Sequence, residues 1–390
     1  MSAGVWALIA AYVLSQFTRA CLAVLAPLLK TDLGATAGDL ADASGLWFLT
    51  FAAMQLPVGW ALDRFGPRRV ASVLMALGGG GGAALFALAA GPGQIKLAMG
   101  LIGVGFSPVL MSSYFIFART QSPARFGTLA GIVVGIGTLG NLASATPLAW
   151  AAETLGWRAA MGGIGAVSLV LAALVFALVR DPERSAAGGQ GSLLTLFKMP
   201  ALWPILAMMA VCYTPIAALR GFWIGPYYAD VFGWGTDQIG TVTLIVGAAM
   251  VAGTFAFGPL ERALGTRKGL ILPTNLIVMA CLFALWALPA TPGTTTLVLF
   301  AAIGLFGASF PMVIAHGRAF IPAHLTGRGV TLLNLFGIAP VGIAQFLTGR
   351  LHGAIAPVPP EAPFKAVFLA LAILVALGCL AYAFSKDRTD

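Results

Sequence analysis

Charge is scarce in this chain. Only 9% of its 390 residues are charged and 59% are hydrophobic, whereas a soluble domain carries about 25% charge. With a mean hydropathy of +0.94, the chain lacks the polar surface of a soluble domain. Acids are rarer than bases, 13 against 22, and every acid lies at the edge of an apolar run or between runs. The four cysteines (Cys21, Cys212, Cys281, Cys379) stand singly in apolar runs without metal or disulfide spacing, so they read as packing residues. No paired catalytic carboxylates, nucleophile–base set or metal cluster is found. The expectation is therefore a protein that is not an enzyme and needs no cofactor or metal. Gly78–Gly82 form a glycine run without the lysine and Ser/Thr of a phosphate loop. That run lies mid-span, where glycines serve close helix packing. The start of the chain lacks a basic region before its apolar run, so that run is expected to be retained as a first helix rather than cleaved.

What the chain has instead is apolar length. Runs fall at about 5–30, 41–62, 70–91, 95–119, 126–152, 158–179, 201–229, 238–260, 269–289, 294–317, 328–352 and 364–384. Each is long enough to cross about 30 Å of hydrocarbon. Proline and glycine inside them do not argue against helix, because neighbours in lipid satisfy freed backbone groups. Of the 22 lysines and arginines, five (Lys30, Lys96, Arg158, Arg350, Lys365) fall on one side of the spans, two (Arg19, Arg220) lie inside runs, and the rest gather on the other side. The positive-inside rule makes that richer side cytoplasmic. Both termini are then cytoplasmic, in a bacterial-type inner membrane. The net charge of +9 reflects this topology, not nucleic-acid binding. The polar stretch RDPERSAAGGQGSLLTLFKMP reads as a linker. The expected domains are a bundle over 1–180, a linker over 181–200 and a second bundle over 201–390.

The halves echo each other. GWALDRFGPRRV follows the second run and GPLERALGTRKG follows the eighth, with Asp63 and Glu261 in matching places. Pro108 and Pro311 match in the fourth and tenth runs, as do Arg125 and Arg328 before the fifth and eleventh. A common offset near 200 residues indicates two copies of a six-helix unit. GWALDRFGPRR resembles the G-x-x-x-D-R-x-G-R-[KR] loop signature of the major facilitator superfamily, through Gly59, Asp63, Arg64, Gly66, Arg68 and Arg69. The resemblance implies an all-α membrane protein: twelve transmembrane helices in two pseudo-symmetric six-helix bundles, a central cavity and alternating access. It also implies a gating role for that loop. Two patterns of proton-coupled drug exporters in that family differ here. Met99 stands near the place of an early fourth-helix arginine, and the fifth run carries glycines without a Gly-Pro pair.

Two arginines sit inside the runs. Arg19 lies in LSQFTRACLAVL, and Arg220 lies in YTPIAALRGFWIGPYY at the equivalent place of the repeat. A cation at the bilayer centre costs at least about 2.5 kcal/mol, and guanidinium does not deprotonate to escape. None of the acids reaches mid-depth in the spans. The economical countercharge is an anionic substrate, which an arginine fork binds well. Tyr12, Ser15 and Gln16 share the Arg19 face of their helix; Tyr213, Trp223 and Tyr227 flank Arg220 at helical spacing. Asn141 and Asn334 are polar groups within spans, open to substrate contact or to helix packing; Ser144 and Gln345 read the same way, and His316 reads as interfacial. The expected function is secondary transport of a small organic or inorganic anion, with a co-transported proton or an exchanged anion, by a monomer in a lipid bilayer. The alternatives are a proton-coupled exporter of drugs or metabolites on the same fold, and a membrane receptor or assembly factor without a transport cycle.

Overall fold

A computed structural model describes residues 2–121, 123–182, 193–291, 293–322 and 325–388. Helix is the only regular structure among them. Nine spans are single stretches of helix: α3 (Pro67–Ala87), α4 (Pro92–Thr120), α6 (Trp157–Leu178), α7 (Pro200–Phe232), α8 (Thr236–Leu264), α9 (Lys268–Ala287), α10 (Gly293–Arg318), α11 (Gly329–Gly353) and α12 (Ala362–Ala383). Three are bent pairs: α1 (Ala3–Thr18 and Cys21–Leu33, 47°), α2 (Ala37–Ala53 and Gln55–Phe65, 44°) and α5 (Leu129–Ala143 and Thr146–Leu155, 41°). These are the twelve spans of the apolar runs, in order. The helices often begin earlier than the runs, and at α2 a capped polar first turn accounts for it. At α2 the Thr36 hydroxyl accepts from Asp39 N at 3.1 Å, and Asp39 Oδ2 accepts from Thr36 N at 3.1 Å.

The chain forms two compact units. The first comprises Met1–Ala186 with Ile224–Pro226 and Trp234–Leu244; the second comprises Ala187–Trp223, Tyr227–Gly233 and Ile245–Asp390. Half of the expected linker, 183–192, lies outside the described residues; its last part holds a short helix, Leu193–Phe197.

Close backbone approach builds the first unit. A Cβ at Gly78 would stand 2.6 Å from Gly105 Cα, and one at Gly105 would overlap Gly79 N. Here α3 adopts a π-helical stretch, Met75–Gly80, so the glycine run lets α3 and α4 touch through their main chains. Gly103 meets the Trp47 carbonyl in the same way, and the Thr50 hydroxyl donates to Gly100 O at 2.8 Å. Together these lock α2 to α4. Lys96 pairs with Asp39 and Asp42 at 2.8 and 3.0 Å at the other end of this helix pair.

The repeat extends to a feature that the sequence did not disclose. The Asp181 carboxylate, just past α6, accepts from Arg68 N at 2.8 Å at the start of α3. Asp387, just past α12, accepts from Arg267 N and Lys268 N at 3.2 and 3.0 Å at the start of α9. Each closing acid thus caps a helix N-terminus three spans earlier in its own unit, where negative charge is favoured. Partial burial pushes the Asp387 carboxyl up, but donation from Lys268 N, the Thr266 hydroxyl and Arg267 N outweighs it and holds the pKa below the usual carboxylate value. A depressed pKa contributes stability above the unfolded value, about 3.9, and loses it as pH falls through the folded value. Asp387→Asn is therefore expected to melt below the wild type at neutral pH. The gap should close in melts run below about pH 4.

His316 of α10 joins the same tail. The Tyr382 hydroxyl lies 2.7 Å from its Nδ1, and its Nε2 lies 3.0 Å from Lys386 O. If Nε2 carries the proton it donates to that carbonyl, and Nδ1 accepts from the tyrosine.

Candidate binding site

Arg19 stands where α1 breaks. The first helix ends at Thr18, Arg19 is its C-cap, and the second piece begins at Cys21 without a side-chain cap. No proline makes this break. Instead the Thr18 hydroxyl donates to Ser15 O at 3.0 Å and the Cys21 thiol to Thr18 O at 3.4 Å, so side chains satisfy carbonyls beside the bend. The residue is 9% exposed, and its Nε is buried without a hydrogen bond. Its Cζ lies 4.9 Å from the ring centroids of both Trp47 and Phe51, and the two rings stack at 5.0 Å and 14°. Among the described residues, no hydrogen bond or ion pair reaches the Arg19 side chain. Cation–π contact supplies about 0.5–2 kcal/mol, less than the cost of about 2.5 kcal/mol or more for placing the charge at mid-depth. The aromatics orient this cation without neutralising it.

Neighbouring polar atoms share the deficit. Gln16 Nε2 donates to the Tyr12 hydroxyl at 3.0 Å. Gln16 Oε1, the Ser15 hydroxyl and the Trp47 indole N–H are buried without a hydrogen bond. Tyr12 packs on Gly137 of α5, and Gly140 of α5 abuts the Val13 carbonyl. Asn141 comes directly after it, 3% exposed, beside the α5 bend, where the Ser144 hydroxyl donates to Asn141 O at 2.9 Å. The first unit therefore brings Arg19, Tyr12 and Gln16 to one face of α1, with α5 and its Asn141 packed along that helix.

Arg220 also sits where its helix leaves α geometry, in the π-helical turn Leu219–Trp223 of α7. It is 4% exposed. Gln345 of α11 donates to Ala218 O at 3.1 Å, just before that turn, and Pro215 removes one N–H from the preceding ladder. Irregular turns inside spans concentrate at functional sites. Both repeat-related arginines occupy one.

The signature loop is an electrostatic knot within the first unit. Asp63 accepts from Arg119 of α4 at 3.0 Å. Gly66 has φ 81° and would place a Cβ 2.5 Å from the Asp181 carboxyl carbon, so it needs glycine twice over. Arg68 Nε donates to Phe176 O at 2.5 Å. Arg64 lies over Trp60 and Phe65 at 5.7 and 5.8 Å, and Arg69 is exposed. Gly59 has only Met111 Cε near its missing Cβ, at 3.9 Å, so packing there does not demand glycine.

The sequence profile of the Major Facilitator Superfamily matches residues 8–345. The chain belongs to the Major Facilitator Superfamily. This is a family of transporters rather than enzymes. The chain is 24% identical over 282 residues to a probable sulfoacetate transporter of Cupriavidus necator, covering 66% of this chain and 64% of that protein. The match thus spans just under two thirds of that relative. It is 22% identical over 331 residues to a hexuronate transporter of Bacillus subtilis, covering 77% of each. The fold superposes on a D-xylose–proton symporter structure with TM-score 0.79 and 16% identity, over 98% of this chain and 96% of that one.

Within this major facilitator fold the remaining sequence candidates divide. Trp223 and Tyr227 are fully buried in helix packing. The Trp223 indole donates to Thr348 at 3.0 Å and its ring lies against His352 and Phe364. Tyr227 donates to Pro289 O at 2.5 Å among Phe300, Phe364 and Phe368. Helical spacing from Arg220 suggested substrate contact for both, but their polar atoms are committed inside the second unit. Tyr213, half-buried at the bend below the π-turn, lies 5.3 Å from Phe310. Asn334 is half-buried in α11. Trp47 and Phe51 were missed. They stand one turn apart in the second run, but nothing in the sequence ties that run to Arg19.

Proposed function

We propose that the chain is a secondary transporter that carries a small organic anion across the cytoplasmic membrane by alternating access. Arg19 is its first anion anchor, and Arg220, the repeat-related arginine, is its second. Both termini face the cytoplasm in this reading, which the excess of lysine and arginine on that side supports. The observation that carries this reading is a buried guanidinium with two aromatic neighbours and no hydrogen-bonding or acidic partner. A transported anion supplies the missing countercharge and gains a charge-assisted fork. The names of the two relatives support it, since sulfoacetate and hexuronate are both organic acids. The test is counterflow in proteoliposomes with labelled organic anions. Wild-type protein is expected to accumulate at least one of them, and Arg19→Gln is expected not to. Accumulation of cations or neutral drugs, with anions ignored, overturns the reading.

A further inference from the structure

The surroundings of Arg19 bear on which anions fit. Its guanidinium, Trp47 and Phe51 form a triangle with sides near 5 Å. The cation is therefore flanked by two aromatic rings. The polar groups along this part of α2 are engaged elsewhere: the Thr50 hydroxyl lies 2.8 Å from both Gly100 O and Leu46 O and shares its one proton between them, and Gln55 Nε2 donates to Phe51 O at 3.1 Å. What remains is a short set of groups without partners: the Trp47 indole N–H and Ser15 hydroxyl as donors, and Gln16 Oε1 as acceptor. Phe51 carries no hydroxyl. The wall beside the cation is thus apolar and poor in hydrogen bonds; its rings are buried here, Trp47 at 0% and Phe51 at 4% exposed, so an anion reaches them only when the site opens. The α4 backbone presses against the Trp47 carbonyl through Gly103, which fixes the Trp47 backbone.

We infer that the stacked Trp47–Phe51 pair is a selectivity wall. It favours a compact carboxylate or sulfonate with an apolar or short body over a polyhydroxylated sugar acid, and the Trp47 N–H is a second donor to the anionic head. This rests on Arg19 being the anion anchor. A hydroxyl brought against these rings leaves water and finds no partner. Apolar walls reject an added hydroxyl only by about 100-fold, so a preference is expected rather than an absolute filter.

The experiment measures binding of matched anions to the purified full chain in nanodiscs, for wild type, Trp47→Phe, Phe51→Tyr and Arg19→Gln. The probes are benzoate, propanesulfonate and sulfoacetate against glucuronate and gluconate. The wild type is expected to bind at least one of the first group about 10- to 100-fold more tightly than either sugar acid. Trp47→Phe keeps the ring and removes the N–H, so affinity for the preferred anion should fall roughly tenfold, as for a hydrogen bond to a charged group. Phe51→Tyr should narrow the gap between the groups by improving the sugar acids. Sugar acids bound as tightly as the compact anions by the wild type, with binding lost in Arg19→Gln, overturn the wall and leave the anchor standing. Anion binding unchanged in Arg19→Gln overturns the anchor and the wall together. The wild-type panel decides the selectivity even if an aromatic variant fails to fold.

Discussion

Arg19→Gln is expected to melt at a higher temperature than the wild type without ligand, yet to lose the stabilisation that anions give the wild type. The two effects have opposite signs because the same charge produces both. Unliganded, Arg19 is a largely buried cation whose Nε has no hydrogen bond, only partly offset by Trp47 and Phe51. Replacing it by a neutral amide removes a cost of about 2.5 kcal/mol or more and gives up about 0.5–2 kcal/mol of cation–π contact. The net gain is about 1 kcal/mol, and a melt reads it as a rise of a few degrees or less. Liganded, the variant lacks the partner of the anion. Truncating one side of a buried charge pair costs about 2–5 kcal/mol, or roughly 30- to 5,000-fold in affinity. Arg19→Lys keeps the charge but not the planar fork, so its loss should be smaller than that of glutamine. A structural arginine behaves otherwise: its removal lowers the melting temperature and leaves any ligand response intact. That pair of results removes Arg19 from the site.

The spans and their order were legible in the sequence because membrane solvation writes them as apolar length. The asymmetry of lysine and arginine and the 200-residue offset were legible for the same reason: each is a property of position along the chain. The Arg19–Arg220 equivalence came from that offset, and the helix irregularity at both residues gives it physical content. Contacts across helices were not legible. Trp223 and Tyr227 shared a face with Arg220 by spacing, but a π-turn begins at Leu219 and shifts the register of the residues after it. Trp47 and Phe51 were hidden because their meeting with Arg19 is a contact between separate spans, which position along the chain does not record. The Asp181 and Asp387 caps were hidden because Gly66 and Arg267, the residues at those helix starts, supply no acidic side chain of their own. The acid arrives from more than 100 residues away.

Those glycines make the second large prediction. Gly140 of α5 lies so close to α1 that a Cβ would overlap the Val13 carbonyl oxygen and crowd the Phe17 amide at 3.0 Å. Both are backbone atoms of a helix and cannot swing aside as a side chain can. Gly140→Ala must therefore push α1 and α5 apart, and overpacking of this kind costs about 1–3 kcal/mol even where repacking is available. Lost contact along Val13–Phe17 adds to that, so a marked drop in melting temperature and in yield of monodisperse protein is expected. Gly137, one turn away, is the control. A Cβ there meets only the ring of Tyr12, which can rotate away at the expense of its hydrogen bond with Gln16. Gly137→Ala should keep most of the stability and weaken anion binding instead. Thermal melts with and without a bound anion separate the two variants. If Gly140→Ala melts like the wild type, α1 is not held by this contact, and the placement of Tyr12, Gln16 and Arg19 against α5 fails with it.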